Sequence, residues 1–305
     1  MPLSPTTPEL GALDLFVSVV ELGSLSKAAA AHGIAQPSAS GRIRRLERQL
    51  GVPLLDRSPS GSSPTAEGSL VAGWAEIVIR SADQLMAGIE ALRASEQGRL
   101  RVSASLTIAE YLLPPWLEQF LRNRPNDSIE LEVTNSAHVL ERLRNGSADL
   151  GFVESPTPTK DMEQHVVGTD RLITVVGKNH PWSDRDHVPI EALASTPLVL
   201  REQGSGTREA FEQFLTDAGY GRPICGLELG STAAVRAAVI SGQSPTVISE
   251  HVVTADIDAG SLHHVHVPGL AIERDLRAVW PIGGSLPPLA QDLIATLPSA
   301  APTNG

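Results

Sequence analysis

Apolar residues in the first fifty positions recur with the spacing of amphipathic helices. The pattern of the first helix ends at Gly23, and Ser24 is suited to cap a second helix with the sequence LSKAAAAHG. A third helix, QPSASGRIRRLERQLG, follows after a very short turn and ends at Gly51. The apolar positions of the first helix are Leu10, Leu13, Phe16, Val17 and Val20. Helix, short turn and helix predict a helix-turn-helix, whose later helix enters the major groove of DNA.

The third helix has two different faces at 100° per residue. One face is apolar and packs on the first helices, whereas the opposite face is polar, basic and rich in hydroxyls at its N-terminal end. Such a face suits groove reading, because Gln and Ser contact base edges while Arg contacts phosphate or guanine. The alternative is a solvated charged face. The apolar positions are Ala39, Ile43, Leu46 and Leu50. The candidate DNA contacts are Gln36, Pro37, Ser38, Ser40, Arg42, Arg44 and Arg45.

After residue 99, short apolar runs alternate with helical patterns. This alternation predicts an α/β fold with parallel sheets and ligand sites beyond the carboxyl ends of the strands. It runs through two half-units that separate near residues 168–170, and the last strand and helix return to the first half-unit. Two lobes joined by crossing strands form a hinged cleft that suits a small solute.

A long helical stretch without proline, residues 66–94, connects the two parts. Its apolar positions recur every seven residues, and such a seam needs a partner. A dimer whose two-fold axis matches a palindromic DNA site would supply that partner, and packing against the chain's own body is the alternative. The candidate dimerisation residues are Val71, Trp74, Val78, Leu85, Ile89 and Leu92.

Charge is unevenly distributed along the 305 residues. The net charge of −11 argues on average against a nucleic-acid partner. However, four arginines lie within residues 42–48, where Glu47 is the one acid, and the acidic excess lies beyond residue 65. The sequence therefore predicts a small basic module joined to a large acidic body.

The stretch VLREQGSGTREAF, residues 199–211, has the parts of an anion site at a helix start. It has neither the lysine of a nucleotide P-loop nor a GxGxxG pattern, so it indicates an anion without a reaction. Hydroxyls precede two further helices, although each helix start taken alone is also an ordinary N-cap. The candidate effector-binding residues are Ser103, Ser105, Thr107, Glu202, Gly204, Ser205, Gly206, Thr207, Ser231 and Thr232.

The segment LFVSVVELGSLSKAAAAHGIAQPSASGRIRRLERQLGVPLLDR resembles the winged helix-turn-helix of LysR-type transcriptional regulators. The resemblance covers about residues 10–68 and implies that residues 54–68 form a wing, with Arg57 and Thr65 as further DNA contacts. It also implies that the linker helix dimerises and that the protein is a homodimer or homotetramer. The body resembles the family's periplasmic-binding-protein-like effector domain.

In that family, the positions matching Ser105, Thr107 and the GSGTR loop line the effector pocket. The REQGSGTRE run is most similar to the subgroup that governs inorganic carbon or sulphur assimilation, which implies an oxyanion or small carboxylate effector. Double-stranded DNA with a palindromic operator is the expected macromolecular partner, and RNA polymerase is a further candidate. The resemblance implies no cofactor.

The predicted domains are a DNA-binding domain at 1–65, a linker helix at 66–98 and an effector-binding domain at 99–305. Within the last, lobe I takes about 99–168 and 268–298, and lobe II about 169–267. The alternative is a solute-binding protein or enzyme with an incidental helical head.

Other signals are weaker. No nucleophile or paired-carboxylate motif indicates an enzyme. His263, His264 and His266 lack a nearby acid or cysteine and make a poor metal site. Cys225, the one cysteine, lies in a strand run and is expected to be a small buried hydrophobe. Without a signal peptide or an apolar run of membrane length, we expect a cytoplasmic, nucleoid-associated protein with no membrane partner.

Overall fold

The structure is a computed structural model that describes residues 4, 6–58, 61–96, 98–156, 160–283 and 286–298. The side chains of residues 57, 58, 61, 87 and 90–96 are outside this description. The chain divides into two compact units, 1–86 and 87–305, and each is described by itself. In the described part of the chain, no helix combines the length and apolar character needed to cross a membrane.

The first unit contains the three predicted helices, a two-stranded hairpin and the start of a long helix. Ser24 caps the second helix by accepting a hydrogen bond from the Lys27 N–H at 3.3 Å. Gly23 and Gly51 end the first and third helices with left-handed backbones, as glycine readily does. The elements are α1 (Leu10–Leu22), α2 (Leu25–Ala31), α3 (Gln36–Leu50), β1 (Leu55–Ser58), β2 (Gly61–Pro64) and α4 (Ala66–Glu96).

The core of the first unit orients α3. Phe16 from α1 and Ala28 from α2 are buried in the same cluster as Ile43 and Leu46 from α3. Ala39 is also fully buried, and Leu50 packs at the edge of the cluster. Because these apolar positions are used for packing, the opposite face of α3 is left to solvent.

The second unit alternates strands and helices. Its elements are β3 (Arg99–Ser105), α5 (Leu106–Tyr111), α6 (Leu113–Leu121), β4 (Ser128–Thr134), α7 (Ser136–Arg144), β5 (Leu150–Val153), β6 (Met162–Gly177), α8 (Ile190–Ala194), β7 (Leu198–Arg201), α9 (Gly206–Asp217), β8 (Cys225–Leu229), α10 (Thr232–Ser241), β9 (Thr246–Ser249), α11 (Glu250–Asp258), β10 (Leu262–Val265), β11 (Ile272–Pro281) and α12 (Pro288–Thr296).

The sheets are mixed, which corrects the prediction of parallel sheets. Strand β3 is parallel to β4 and β5, and β7 is parallel to β8. Strands β9, β10 and β11 all pair antiparallel with β6, and β11 also pairs antiparallel with β5. Antiparallel pairing arises here because the chain passes along β6 from one half-unit to the other and returns along β11.

The long strands β6 and β11 connect two lobes. Their pairing shifts register between Leu276 and Arg277, opposite the stretch Val166–Gly168. Beyond this irregularity β11 pairs with β5, and Leu289 and Leu293 of α12 join the core of the first half-unit. The return of the last strand and helix to the first half-unit is therefore confirmed. The names lobe I and lobe II refer to the predicted bounds, about 99–168 and 268–298 for lobe I and about 169–267 for lobe II. These bounds stay a prediction.

The prediction that Cys225 is buried is wrong. Cys225 is exposed at the start of β8, and four of the five residues of this strand are exposed. Strand β8 is paired only with β7 among the described residues, so it lies at a sheet edge with few neighbours to cover it. An apolar strand pattern predicted burial without revealing this edge position.

Candidate functional site

The outer face of α3 carries the predicted DNA contacts. The side chains of Gln36, Ser38 and Arg44 are exposed, and Ser40 is half-buried. Pro37, Arg42 and Arg45 are also exposed. Among the described residues, no ion pair neutralises Arg42, Arg44 or Arg45, although Glu47 lies in the same helix. Three exposed cations on one helix provide the local positive potential that phosphate binding needs, despite the acidic chain.

Glu47 explains why the arginine face is not neutralised. One of its carboxylate oxygens accepts hydrogen bonds from the backbone N–H groups of Leu54 and Leu55, at 3.0 and 3.3 Å. The carboxylate is thus turned from the arginines toward the chain that enters β1. Glu47 joins α3 to the hairpin, a role that the sequence reasoning missed because it counted this residue only as a charge.

The hairpin β1–β2 lies where the resemblance implies a wing. Thr65, beyond β2, donates its hydroxyl to the Pro53 carbonyl at 2.8 Å and accepts the Gly68 N–H at 2.8 Å. This hydroxyl therefore caps α4 and joins the chain that leaves β2 to the chain that enters β1, and both hydrogen bonds are internal. The side chain of Arg57, the other predicted wing contact, lies outside the described residues.

Helix α4 exposes the predicted apolar seam. Trp74, Val78 and Leu85 are 63%, 45% and 65% exposed, and Val71 packs at the edge of the unit's core. Ile89 is half-buried, and the side chain of Leu92 lies outside the described residues. Trp74 and Val78 also line an apolar groove of about 450 Å³ together with residues of α1 and α3. Large exposed apolar side chains grouped on one surface are typical of an interaction site.

In the second unit, hydroxyls at the end of β3 surround a buried carboxylate. Ser105 and Thr107 both donate hydrogen bonds to Glu154, which follows β5, and the Thr107 bond is 3.1 Å long. All three side chains are buried. The predicted hydroxyls therefore converge, but they converge on a side chain of the protein itself.

A buried ion pair lies on the other side of this carboxylate. Arg274 of β11 donates two hydrogen bonds to Asp170 of β6, and a third, of 3.1 Å, to the Thr207 hydroxyl. Its guanidinium is 3.9 Å from Glu154. Ser249 donates to the other oxygen of Asp170 at 2.8 Å. One cation is thus shared by two buried carboxylates. It also contacts the loop with the sequence GSGT, residues 204–207, which is called the GSGT loop below.

The GSGT loop lies directly against lobe I. Gly204 has a φ of 83°, and a Cβ there would lie 2.8 Å from the Cβ of Ala137. A Cβ on Gly206 would lie 2.8 Å from the backbone between Glu154 and Ser155. Both glycines are needed because the backbone of one lobe approaches the other too closely for a side chain. The loop therefore joins the two lobes across the cleft.

Ser205 is an N-cap that does not cap its helix. It precedes α9, its side chain is buried, and its hydroxyl has no hydrogen-bond partner among the described residues. The buried hydroxyls of Ser103 on β3 and Ser136 at the start of α7 also have no hydrogen-bond partner among the described residues. Buried polar groups are nearly always hydrogen-bonded, so unpartnered hydroxyls beside a cleft indicate a place for a ligand or water.

Glu202 is held by Arg201 at the entrance of the same loop. Two hydrogen bonds of 2.8 Å connect them, and Asn135 of lobe I donates a third, of 3.3 Å, to Glu202. Burial alone raises the pKa of Glu202, but the hydrogen bonds and charge of Arg201 outweigh it, so the pKa lies below its ordinary value. Arg201 also donates to Thr232 at 3.3 Å.

Ser231 and Arg208 have structural contacts. Ser231 accepts the Ala234 N–H at 3.2 Å, as an ordinary N-cap does. Arg208 neither faces the cleft nor extends into solvent. It donates to Glu212 and Glu228, at 2.6 Å each, and to the Arg201 carbonyl at 3.0 Å. The structure thus separates these two residues from the group around Glu154.

The charged centre of the cleft was not indicated by any motif of the sequence. It consists of Glu154, Asp170 and Arg274, and Arg201 is a further buried charge at the end of β7. A usable signal was present, because each charge lies in or next to an apolar strand run. A charge in such a position is rarely buried unless it is paired. The histidines at 263, 264 and 266 form no such centre, and no group of three potential metal ligands occurs in the described part of the chain.

Comparison with protein families matches both units. The family described as "Bacterial regulatory helix-turn-helix protein, lysR family" matches residues 10–69. The family described as "LysR substrate binding domain" matches residues 93–302. The two matches together cover nearly the whole chain.

Relatives are similar over nearly their full length. An uncharacterized HTH-type transcriptional regulator of Mycobacterium tuberculosis is 39% identical over 312 residues, which cover 98% of this chain and 99% of the relative. The HTH-type transcriptional regulator CysL of Bacillus subtilis is 32% identical, with coverage of 87% and 88%. The solved regulatory domain of Synechocystis PCC6803 CcmR, in complex with 2-PG, is 28% identical with a TM-score of 0.60, over 65% of this chain and 95% of that domain.

Proposed function

The chain belongs to the LysR family of bacterial helix-turn-helix regulators, and from this premise we propose that a small anion in its cleft controls its action on DNA. It is a DNA-binding transcriptional regulator with an effector-binding domain, and not an enzyme. Its second unit has the periplasmic-binding-protein-like fold of the family's effector domains. The residues that contact DNA and the chemical class of the effector are the proposed part.

Helix α3 reads the operator through its exposed face. Gln36, Ser38 and Ser40 contact base edges near the helix start, while Arg42, Arg44 and Arg45 contact phosphate or guanine. The absence of ion pairs to these arginines among the described residues supports this assignment, since no internal bond has to be broken for DNA. Pro37 fixes the helix start, and Arg57 extends the contact into the wing.

A salt titration of operator binding tests the role of Arg44. In a gel-shift assay on DNA upstream of the regulator's own gene, Arg44→Ala should weaken binding and lower the slope of log affinity against log salt by about one. Arg122→Ala, an exposed arginine in the second unit, is the control and should leave the slope unchanged. Salt-insensitive binding, or an Arg44→Ala variant indistinguishable from wild type, would refute the assignment.

The observation that carries the effector proposal is the buried, unpartnered hydroxyl of Ser205 at the start of α9. The N-terminus of a twelve-residue helix presents free N–H groups and a partial positive charge, which favour an anion. Thr207, the second residue of this helix, already accepts a hydrogen bond from the buried cation Arg274. Ser103 and Ser136 add two more unpartnered hydroxyls from lobe I. An oxyanion or small carboxylate would use these donors together.

Glu154 occupies part of the site as a built-in anion. Its carboxylate takes the hydrogen bonds of Ser105 and Thr107 and faces Arg274 at 3.9 Å, which is the arrangement an effector anion requires. We infer that the effector displaces this carboxylate, because two anions would repel each other in a buried site. Because Gly204 and Gly206 hold the loop in close contact with lobe I, we propose a small effector.

The relatives agree with a small ligand but leave its identity open. The CcmR regulatory domain, a related domain, was solved in complex with 2-PG. Glu202 and Thr232 are assigned to the cleft wall around Arg201, where they hold the loop rather than the anion. Ser231 is assigned to the rim, because its hydroxyl caps α10.

A thermal-shift screen on the full chain tests the effector proposal. Sulfate, phosphate, bicarbonate and small carboxylates are suitable probes, since a ligand that binds only the folded state raises the melting temperature. Ser205→Ala and Thr107→Ala should each reduce the shift caused by the active anion while leaving operator affinity without anion nearly unchanged. Ser231→Ala is the matched control. An equal shift in all four proteins would contradict the assignment.

Helix α4 is assigned to dimerisation through Val71, Trp74, Val78, Leu85, Ile89 and Leu92. The exposed Trp74 and Leu85 support a second copy as the occupant of this surface, because a two-fold dimer matches a palindromic operator. Sedimentation should show that Trp74→Asp lowers the oligomeric state and that Glu76→Gln does not. A homotetramer assembled from two such dimers is the expected complete state, and a Trp74→Asp variant that still forms dimers would contradict the assignment.

The remaining assignments follow the same reasoning. Residues 1–65 form the DNA-binding domain, 66–98 the linker helix and 99–305 the effector domain. The regulator acts on the nucleoid in the cytoplasm, with RNA polymerase as the partner at activated promoters. Fluorescence microscopy of the tagged regulator, which should coincide with the DNA stain, tests the location.

A further inference from the structure

The short helix α5 connects the hydroxyls of the cleft to lobe II. It begins after Ser105, and its second residue, Thr107, donates to Glu154. Its last residue is Tyr111, which lies one helical turn beyond Thr107 and therefore on the same face, about 6 Å farther along the axis. A displacement of Thr107 in a helix of this length carries Tyr111 with it.

Tyr111 belongs to lobe I by sequence but packs on the core of lobe II. It lies against the buried cluster that contains Val199 of β7, Val235 of α10 and Val252 of α11. Its helix contacts α11, whereas Ile108 and Ala109 of the same helix are buried in the core of lobe I. The aromatic ring is thus a contact between lobes that does not involve the GSGT loop.

Charged groups surround the phenol. Burial raises the pKa of Tyr111, and the charge of Arg236 on α10 opposes this change. Arg236 is itself held by Asp256 of α11 at 2.6 Å. Burial also raises the pKa of Glu110, the neighbour of Tyr111, while Arg201 and Arg236 lower it and Glu154 raises it. The end of α5 therefore lies in the electrostatic field of two helices of lobe II.

We propose that Tyr111 is the positioning residue that transmits the occupancy of the cleft to α10 and α11 of lobe II. This inference rests on the proposed role of Ser105 and Thr107 in holding either Glu154 or an effector anion. When the anion displaces Glu154, the hydroxyls at the start of α5 change partner, and the helix shifts as a unit. The ring at its other end then changes its contact with the lobe II cluster and with Arg236.

Two substitutions around Glu154 should shift α5 without any effector. Glu154→Gln removes the charge that Ser105 and Thr107 hold, and Thr107→Val removes one of the two hydroxyls without changing any charge. Glu154 raises the pKa of Glu110, the neighbour of Tyr111, so Thr107→Val, which changes no charge, is the variant that isolates the route through the helix. If both substitutions affect Tyr111 alike, electrostatics alone does not explain the effect.

Fluorine NMR of the full chain tests the proposal at neutral pH. The sequence has two tyrosines, so Tyr220→Phe with 3-fluorotyrosine labelling leaves a single resonance that reports Tyr111. We expect Glu154→Gln and Thr107→Val each to move this resonance by more than its linewidth. The control is a Tyr111→Phe protein, in which the single resonance reports Tyr220, whose hydroxyl donates to Glu191 at 2.7 Å. Glu154→Gln and Thr107→Val should not move that resonance.

The outcomes separate this proposal from the proposed function. A Tyr111 resonance that is unchanged in both folded variants would overturn the transmission role, whatever the anion screen shows. If the Tyr111 resonance moves in both variants but the screen finds no anion that binds, the transmission role is supported and the proposal of an anionic effector is contradicted. Cooperative thermal unfolding of each variant, together with an unchanged Tyr220 resonance, confirms that its second unit is folded, since operator binding through α3 reports only on the first unit.

Discussion

Arg274 and Asp170 lie opposite each other on β11 and β6, and the guanidinium donates two hydrogen bonds, of 2.9 and 2.6 Å, to one carboxylate oxygen. Both side chains are buried. The pair lies on the strands that connect the lobes, and Arg274 also contacts Thr207. One ion pair therefore connects the crossing strands to the loop that faces the cleft.

Removal of one partner of this pair should strongly destabilise the second unit. Arg274→Ala should lower the free energy of unfolding by about 3–5 kcal/mol, because an unpaired carboxylate stays buried. The double variant Arg274→Met, Asp170→Leu should recover only part of this loss, since the buried Glu154 still lacks the cation that lies 3.9 Å from it. Urea denaturation measures both. Arg171→Ala, which breaks the exposed pair with Glu250 next to Asp170, is the control and should change stability little.

Glu47 should matter more to the DNA-binding unit than its place among the arginines of α3 suggests. Glu47→Ala leaves the N–H groups of Leu54 and Leu55 without their carboxylate acceptor, so the free energy of unfolding should fall by about 1–3 kcal/mol. Operator affinity should fall as well, even though one negative charge is removed. Thermal unfolding and gel shift check this, with Glu21→Ala as the control. Tighter DNA binding by Glu47→Ala would mean that its charge outweighs its structural role.

Gly206→Ala should separate the GSGT loop from lobe I. The added Cβ would lie 2.8 Å from the backbone of Glu154 and Ser155, and backbone yields less readily than a flexible side chain. The cost of such overpacking is about 1–3 kcal/mol in the free energy of unfolding. Small-angle scattering should also show a more open second unit. Gly230→Ala has open space around its Cβ and is the matched control.

Acid should destabilise the second unit through His180. Burial, and then the charge of Arg185, lower the pKa of His180 in the folded state, and its Nδ1 accepts the Trp182 N–H at 3.1 Å. Above pH 6.5 the imidazole is neutral in both states and its stabilising contribution is complete. As the pH falls below 6.5, the unfolded chain binds the proton first, so stability decreases until the folded pKa is reached.

The melting temperature of wild type should therefore fall more steeply between pH 7.5 and pH 5 than that of His180→Asn. The asparagine carbonyl still accepts the Trp182 N–H but cannot be protonated. His187→Asn, an exposed histidine of the same loop, serves as the comparison and should keep the wild-type slope. Parallel curves for wild type and His180→Asn would rule out His180 as the source of the acid sensitivity.

Elements whose chemistry is local were predicted correctly from the amino-acid sequence. Helix periodicity placed Ala39, Ile43 and Leu46 inside and the arginines outside, because each residue turns the helix by a fixed angle. Ser24 as a cap and Gly51 as a helix end also follow from the backbone of a few adjacent residues. The α/β body and the return of the last strand to the first half-unit were predicted from the order of apolar runs and helical patterns, and the family from the resemblance of residues 10–68 and of the body.

The folded structure determines which distant groups come into contact. Glu154 and Thr107 are separated by 47 positions, and Arg274 and Asp170 by 104, so no local pattern indicates that they are partners. It also decided that Glu47 turns toward the hairpin and that Cys225 lies on an uncovered edge. The physical reason is that local periodicity fixes the direction of a side chain on its own element, whereas the packing of distant elements fixes what lies there.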